Sequence, residues 1–271
     1  MSPRWRNEAR ITLAPRRVAL TRVSRGLRPA FGEEVVSRVD CGNVIDWHPA
    51  LAELQRLLGE HGGRHGDAYV VMSDHWAKYA MVPWSDEVSG DEERQAHARI
   101  CLNQVYGGVT DSWHLGLGVP IPGEPMVVSA VPVALLEDIR RVLDTSGLRL
   151  VSAQPQLVAA HNTWRDRLPE TGGWFVTLDE GSLAAARLVR NGWDRVYSAR
   201  VGTDWMVELQ RLRAFGRLVV RESESGRVYV DAPAWLRELA GNCGPDIEWL
   251  VDERVASGAH GESPPARSLQ A

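Results

Sequence analysis

Two passages far apart in the chain share one layout, and that repetition limits the fold more than any other feature. In the first, Arg17 to Asp40, Val18, Leu20 and Val23 alternate with other residues, a turn is expected at Arg25-Gly26, and apolar residues resume at Phe31, Val35, Val36 and Val39. The second, Trp174 to Val201, reads as strands Phe175 to Leu178 and Leu183 to Val189, an Asn191-Gly192 turn, and a strand from Trp193 to Arg200. Asn-Gly between alternating strands predicts a hairpin, because both residues tolerate the positive φ of a type I′ turn. Helices and strands then alternate behind each hairpin, so the pattern predicts duplicated α/β lobes with mixed rather than purely parallel sheets.

In the first lobe, Asp46 is placed to cap a helix with Pro49 in its first turn, and Leu51, Leu54, Leu57 and Leu58 share one face. A strand Ala68 to Ser73 is expected to pair with Lys78 to Val82. Ser89 and Glu92 have capping-box spacing for a helix that ends at Gly107-Gly108. A strand pair follows near Trp113 to Val119 and Met126 to Val131. Pro132 opens the clearest helix, with Leu135, Leu136, Ile139, Val142 and Leu143 on one stripe and Gly147 at its C-terminal end. A strand Leu148 to Ser152 and a helix Pro155 to Trp164 complete the lobe. The second lobe is shorter: a helix Thr203 to Phe215, a hairpin at Ser225-Gly226 joining Leu218 to Arg221 with Arg227 to Val230, and helices Ala234 to Ala240 and Asp246 to Val251. The expected organisation is a loose lead over 1–10, a first lobe over 11–168, a second over 169–255, and a disordered tail over 256–271, where SGAHGESPPARSLQA has too little apolar content to fold.

Composition excludes several classes of function. The chain is 44% hydrophobic, enough to fill two cores, so neither a metal nor disulfides are needed for folding. Cys41, Cys101 and Cys243 lie far apart and form no CxxC pair. No signal peptide and no run of about eighteen apolar residues is found, so the expected compartment is the cytoplasm. The 31 basic and 35 acidic side chains intermingle, which leaves no footprint for nucleic acid. Lys78 is the only lysine.

The passage MVVSAVPVALLEDIRRVLDTSGLRLVSAQPQLVAAHN, Met126 to Asn162, resembles the pilus-assembly PilM family and the cytoplasmic region of the type II secretion GspL family. The second hairpin, with its strand, Asp-x-Gly turn, strand, Asn-Gly turn and strand order, adds to the resemblance. The whole match spans Arg17 to Leu218 and is concentrated between Met126 and Gly202. It implies an actin-like, ribonuclease H-like fold. In nucleotide-binding members of that superfamily an Asp-x-Gly turn opens each lobe: its N–H groups hold phosphate and its aspartate organises the metal and attacking water.

By that resemblance Asp179, Gly181 and Ser182 are a residual phosphate turn. The first turn is expected within Val18 to Ser24, where neither acid nor glycine is found, and Tyr229-Val230-Asp231-Ala232-Pro233 stands where an adenosine-contacting Gly-Gly turn belongs. The implied function is a non-catalytic cytoplasmic scaffold without cofactor. Its partners would be an inner-membrane assembly protein and an assembly ATPase. The alternative is an ATP-dependent ATPase or small-molecule kinase that binds ATP and magnesium through Asp179.

Other motifs have simpler readings beside the functional ones. Asp179 either organises phosphate or shapes a tight turn. His61 and His65 have metal-ligand spacing, but Gly62-Gly63 between them suggests a loop. Asp74-His75-Trp76 reads as acid–base chemistry or as a polar strand end, and Gly116-Leu117-Gly118 as a strand end rather than a dinucleotide fingerprint. Trp84 and Trp113 are either interface anchors or core.

Overall fold

The computed structural model describes residues 7–24, 30–61, 65–190, 192–202, 204–219, 227–240 and 245–251. Glu8–Ala14 form β1, a central strand. It pairs antiparallel with β2 (Arg17–Ser24) across the turn Pro15-Arg16 and parallel with β5 (Gly66–Met72) on its other side. Glu8–Arg10, expected in a loose lead, belong to this strand. Ala9 continues the buried alternation of Ile11 and Leu13, and the Arg10 guanidinium lies over the Phe31 ring, 5.1 Å from its centroid. The chain's first hairpin is therefore β1–β2, which precedes the turn expected at Arg25-Gly26; that turn lies outside the described residues.

β3 (Ala30–Phe31) and β4 (Val35–Arg38) both pair antiparallel with β2, and β9 (Leu148–Pro155) pairs parallel with β5. The sheet order is β3-β2-β1-β5-β9, with β4 also on β2. Ala9, Ile11, Leu13, Val18, Leu20, Ala68, Val70 and Met72 are buried on one face. Two helices supply apolar stripes to this core: Leu51, Leu54, Leu57 and Leu58 from α1 (His48–His61), and Leu135, Leu136, Ile139 and Leu143 from α3 (Val133–Thr145). Asp46 caps α1 by accepting the His48 N–H at 3.0 Å, and the Trp47 indole donates to Asp138 of α3 at 3.0 Å. Gly147 follows α3 with φ +72°, where a side chain would be strained. Residues up to Trp76 together with Pro132–Gln156 form one compact unit.

The other unit comprises Ala77–Val131 and Leu157–Val251. Its main sheet runs β12-β11-β10-β13-β14, built from β10 (Trp174–Asp179), β11 (Ser182–Val189), β12 (Gly192–Arg200), β13 (Val228–Asp231) and β14 (Ile247–Leu250). β10 pairs antiparallel with β11 and parallel with β13, which pairs parallel with β14. Hairpin on one side and parallel strands on the other is the arrangement around β1, so the duplication expected from sequence is present in strand order and direction. Trp174, Val176, Leu178, Leu183, Val228 and Val230 face Trp205, Leu209 and Leu212 of α5 (Trp205–Val219) and Leu236 of α6 (Ala234–Ala240). A separate three-stranded sheet, β6-β8-β7, is made by β6 (Lys78–Val82), β7 (Trp113–Leu117) and β8 (Met126–Pro132). It packs on Ala98, Cys101 and Leu102 of α2 (Asp91–Tyr106).

Several local expectations are corrected. β6 pairs with β8, not β5, because its buried residues belong to the α2 core. α2 starts one residue later than its capping signal suggested: Gly90 precedes the helix, and Glu93 rather than Glu92 accepts the Ser89 and Gly90 N–H groups at 2.9 and 3.3 Å. Leu218 and Val219 end α5, and β13 joins a parallel ladder instead of an antiparallel hairpin. The segment expected as a helix from Asp246 contains β14, whose Ile247 and Leu250 are buried. Four-residue apolar segments do not discriminate strand from helix by periodicity. The expectations for Gly62-Gly63, Asn191, Ser225-Gly226, Cys243 and 256–271 lie outside the described residues.

Ile139 is fully buried on α3, so Ile139→Ala should lower unfolding free energy by about 2–5 kcal/mol with an unchanged denaturant slope, measured by urea titration.

Candidate functional site

In the second hairpin the register ends at the pair Asp179 and Ser182, leaving Glu180-Gly181 as a two-residue turn. Gly181 takes φ +85°, so the turn requires glycine. The Asp179 carboxylate accepts the Glu180 N–H at 2.8 Å, and the Gly181 carbonyl accepts the Val201 N–H at 3.1 Å. Ser182 is buried. The structure thus brings the three predicted residues of the phosphate turn together, and the aspartate uses one of the turn's own donors to hold its shape.

The equivalent register in the first hairpin ends at Ala14 and Arg17, with Pro15-Arg16 as the turn. This corrects the position expected within Val18 to Ser24, which β2 occupies as strand. At the corrected position the residues are Ala14-Pro15-Arg16-Arg17, still without acid or glycine, and Pro15 has no N–H to offer an anion. No non-glycine residue among those described has a positive φ, so this turn does not imitate the geometry at Gly181.

Asp231 is the site residue that sequence reasoning passed over. It ends β13 beside Thr177 of the parallel strand β10, so it shares the carboxyl end of the sheet with Asp179. Burial pushes its carboxyl above the usual range and the neighbouring Asp179 charge adds to this, while a hydrogen bond from Trp164 and the charge of Arg237 oppose it. The two carboxyls thus stand at the ends of adjacent parallel strands, near enough for the Asp179 charge to act on Asp231. The only sequence signal was an acid at the last position of a short apolar strand. Ala232-Pro233 then leads into α6, without glycine where the adenosine turn was expected.

The remaining motifs separate. His61 ends α1, and among the described residues no group of three His, Cys, Asp or Glu side chains could hold a metal. Asp74-His75-Trp76 is a 3₁₀ turn after β5, with Asp74 and Trp76 buried and the Trp76 indole donating to the Val44 carbonyl at 2.9 Å. Gly116 lies in β7, and Gly118 donates to the Val127 carbonyl at 2.9 Å, so Gly-Leu-Gly is a strand end. The Trp113 side chain packs on the α2 core, whereas Trp84 is more exposed and donates to Asp86 at 2.8 Å.

α4 (Gln156–Trp164) covers the face of the second sheet opposite α5. Its His161 meets Trp193 and Phe175 edge-on, with ring centroids 4.9 and 5.7 Å away. Burial in this aromatic setting, helped by the charge of Arg165, lowers the imidazole pKa to about 4.

No protein-family model matches the chain, and no curated protein matches it. Among solved structures, a chain of a PilM–PilN type IV pilus biogenesis complex is similar at TM-score 0.62 and 17% identity, over 89% of this chain and 87% of that one. A Bacteroides thetaiotaomicron protein of actin-like ATPase fold is similar at TM-score 0.58 and 9% identity, over 91% of each chain. The cytoplasmic domain of EpsL, an inner-membrane component of the Vibrio cholerae type II secretion system, is similar at TM-score 0.53 and 10% identity, over 97% of this chain and 91% of that one. With the duplicated sheet order, these likenesses establish an actin-like α/β fold.

Below pH ~6.5 the unfolded chain protonates His161 while the folded chain keeps it neutral until about pH 4. Its contribution to stability is complete above pH ~6.5 and is lost as pH falls toward 4. Between pH 7 and 5 this amounts to roughly 2 kcal/mol. His161→Phe should show a correspondingly smaller fall in urea midpoint over that interval. In the turn, Gly181→Ala should destabilise the fold by about 1 kcal/mol or more in the same assay, because alanine is strained at this φ.

Proposed function

We propose that this chain is a non-catalytic scaffold on the cytoplasmic face of the inner membrane, in a type IV pilus or type II secretion-like assembly. It binds the cytoplasmic part of a membrane-spanning assembly protein and, with it, an assembly ATPase. The supporting observation is the inequality of the two hairpin turns on a fold similar to PilM and cytoplasmic EpsL. One turn reads Asp179-Glu180-Gly181-Ser182, and its counterpart reads Ala14-Pro15-Arg16-Arg17. Orienting a triphosphate and its metal takes groups from both turns, and the second of these sequences supplies neither a carboxylate nor a proline N–H. In this reading the scaffold reaches the membrane through its partner, and among the described residues no helix is long and apolar enough to cross a membrane.

A second reading, an ATP-dependent ATPase or small-molecule kinase, draws support from one observation. The raised carboxyl of Asp231 beside Asp179 is an acid–base arrangement. Calorimetric titration of the purified chain with ATP and magnesium separates the readings. The scaffold predicts that Asp179→Ala leaves the titration unchanged, whatever heat the wild-type chain gives. Micromolar binding that Asp179→Ala abolishes would replace it with the enzyme.

A further inference from the structure

Arg17 of β2 and Arg38 of β4 are register partners, so their side chains leave the same face of the sheet. Directly opposed residues stand about 5 Å apart at Cβ, where like charges repel. The register on either side is regular, with Val18 opposite Ser37 and Leu20 opposite Val35. β2 is itself fixed by its pairing with β1, where Val18 meets Leu13 and Leu20 meets Ile11, so Arg17 keeps its face. The hairpin end is also tied down, since Val39 donates to the Arg16 carbonyl at 2.9 Å. The fold therefore holds two cations together at the closed end of the β1–β2 hairpin.

Several other arginines of the chain have carboxylate partners. Arg56 binds Glu53 and Glu60, Arg141 binds Asp138, Arg149 binds Asp67, and Arg187 binds Asp194. Among the described residues neither Arg17 nor Arg38 has a carboxylate within 4.0 Å, Asp40 included. The Arg17 Nε is shielded from solvent and has no hydrogen-bond partner. Two opposed guanidiniums with no carboxylate beside them repel each other, and a bound anion removes that repulsion.

We propose that Arg17 and Arg38 form an oxyanion site that takes a phosphate group without a metal ion. Guanidinium forks bind oxyanions bidentately, and a phosphate dianion balances both charges, whereas a single carboxylate leaves one uncompensated. Phosphate in solution and phosphate on a lipid head group present the same chemistry. Neither arginine contributes to the scaffold reading above, so the two stand or fall separately.

The test is calorimetric titration with inorganic phosphate and with pyrophosphate in chelator without magnesium, alongside cosedimentation with phosphatidic acid vesicles. Submillimolar binding of free phosphate or pyrophosphate identifies a soluble ligand, and binding confined to vesicles identifies a head group. In either case Arg17→Gln and Arg38→Gln should each weaken binding at least tenfold. Arg38→Gln, at an exposed strand end, should keep or raise the ligand-free urea midpoint, because it relieves the repulsion. Absence of binding in both assays, or wild-type affinity in Arg38→Gln, would overturn the site.

Discussion

Each main sheet depends on one strand whose two edges are used differently. β1 and β10 open their hairpins by pairing antiparallel on one side, and on the other they pair parallel with a strand that arrives much later in the chain. A strand paired on both edges and covered on both faces has to be apolar throughout its length. β10 meets this with Trp174, Phe175, Val176 and Leu178 buried and only Thr177 as a buried polar residue. The helices follow from the same constraint, since α5 and α6 cover one face of β10 and α4 the other. The turn that closes each hairpin comes next to the carboxyl end of a central parallel strand, which is where open α/β sheets place their ligands.

That geometry explains why the two turns matter and why their divergence is tolerated. A two-residue turn needs only a compatible backbone. Glycine at φ +85° with an aspartate bound to the next N–H is one solution, and Pro15-Arg16 without a positive φ is another. Both close a two-residue hairpin, so hairpin closure alone does not require an Asp-x-Gly sequence. Chemistry can leave one turn while the sheet behind it is preserved.

Much of the fold was legible because its signals are local and repeated. The α3 stripe from Leu135 to Leu143, the Leu51 to Leu58 face of α1 and the short apolar run of β11 before the Gly192 turn each identify their element with little help from the rest of the chain. What failed depended on distant partners. Glu8–Arg10 look like a polar lead until Phe31 covers Arg10, and Ile247–Leu250 read as helix until β13 lies beside them. The displaced first turn followed from missing β1, since without that strand the first hairpin is shifted one strand along the chain. In the site, Asp179, Gly181 and Ser182 were readable from a contiguous motif. Asp231 was not, because it joins them only through the parallel register of β10 and β13.

Electrostatics at the two hairpins are opposite in sign, and this is what separates the lobes chemically. At the β10 end, Asp179 stands near Asp231, and burial favours the neutral form of Asp231, so repulsion there can be relieved by taking up a proton. At the β1–β2 end, the opposed side chains are guanidiniums, which do not lose a proton at any ordinary pH. A carboxyl whose neutral form burial favours can shed its charge by protonation. An arginine pair has no such recourse, so its charge is met only by solvent, by salt or by an anion. Arg17 and Arg38 therefore make the first hairpin the more demanding of the two for a counter-ion.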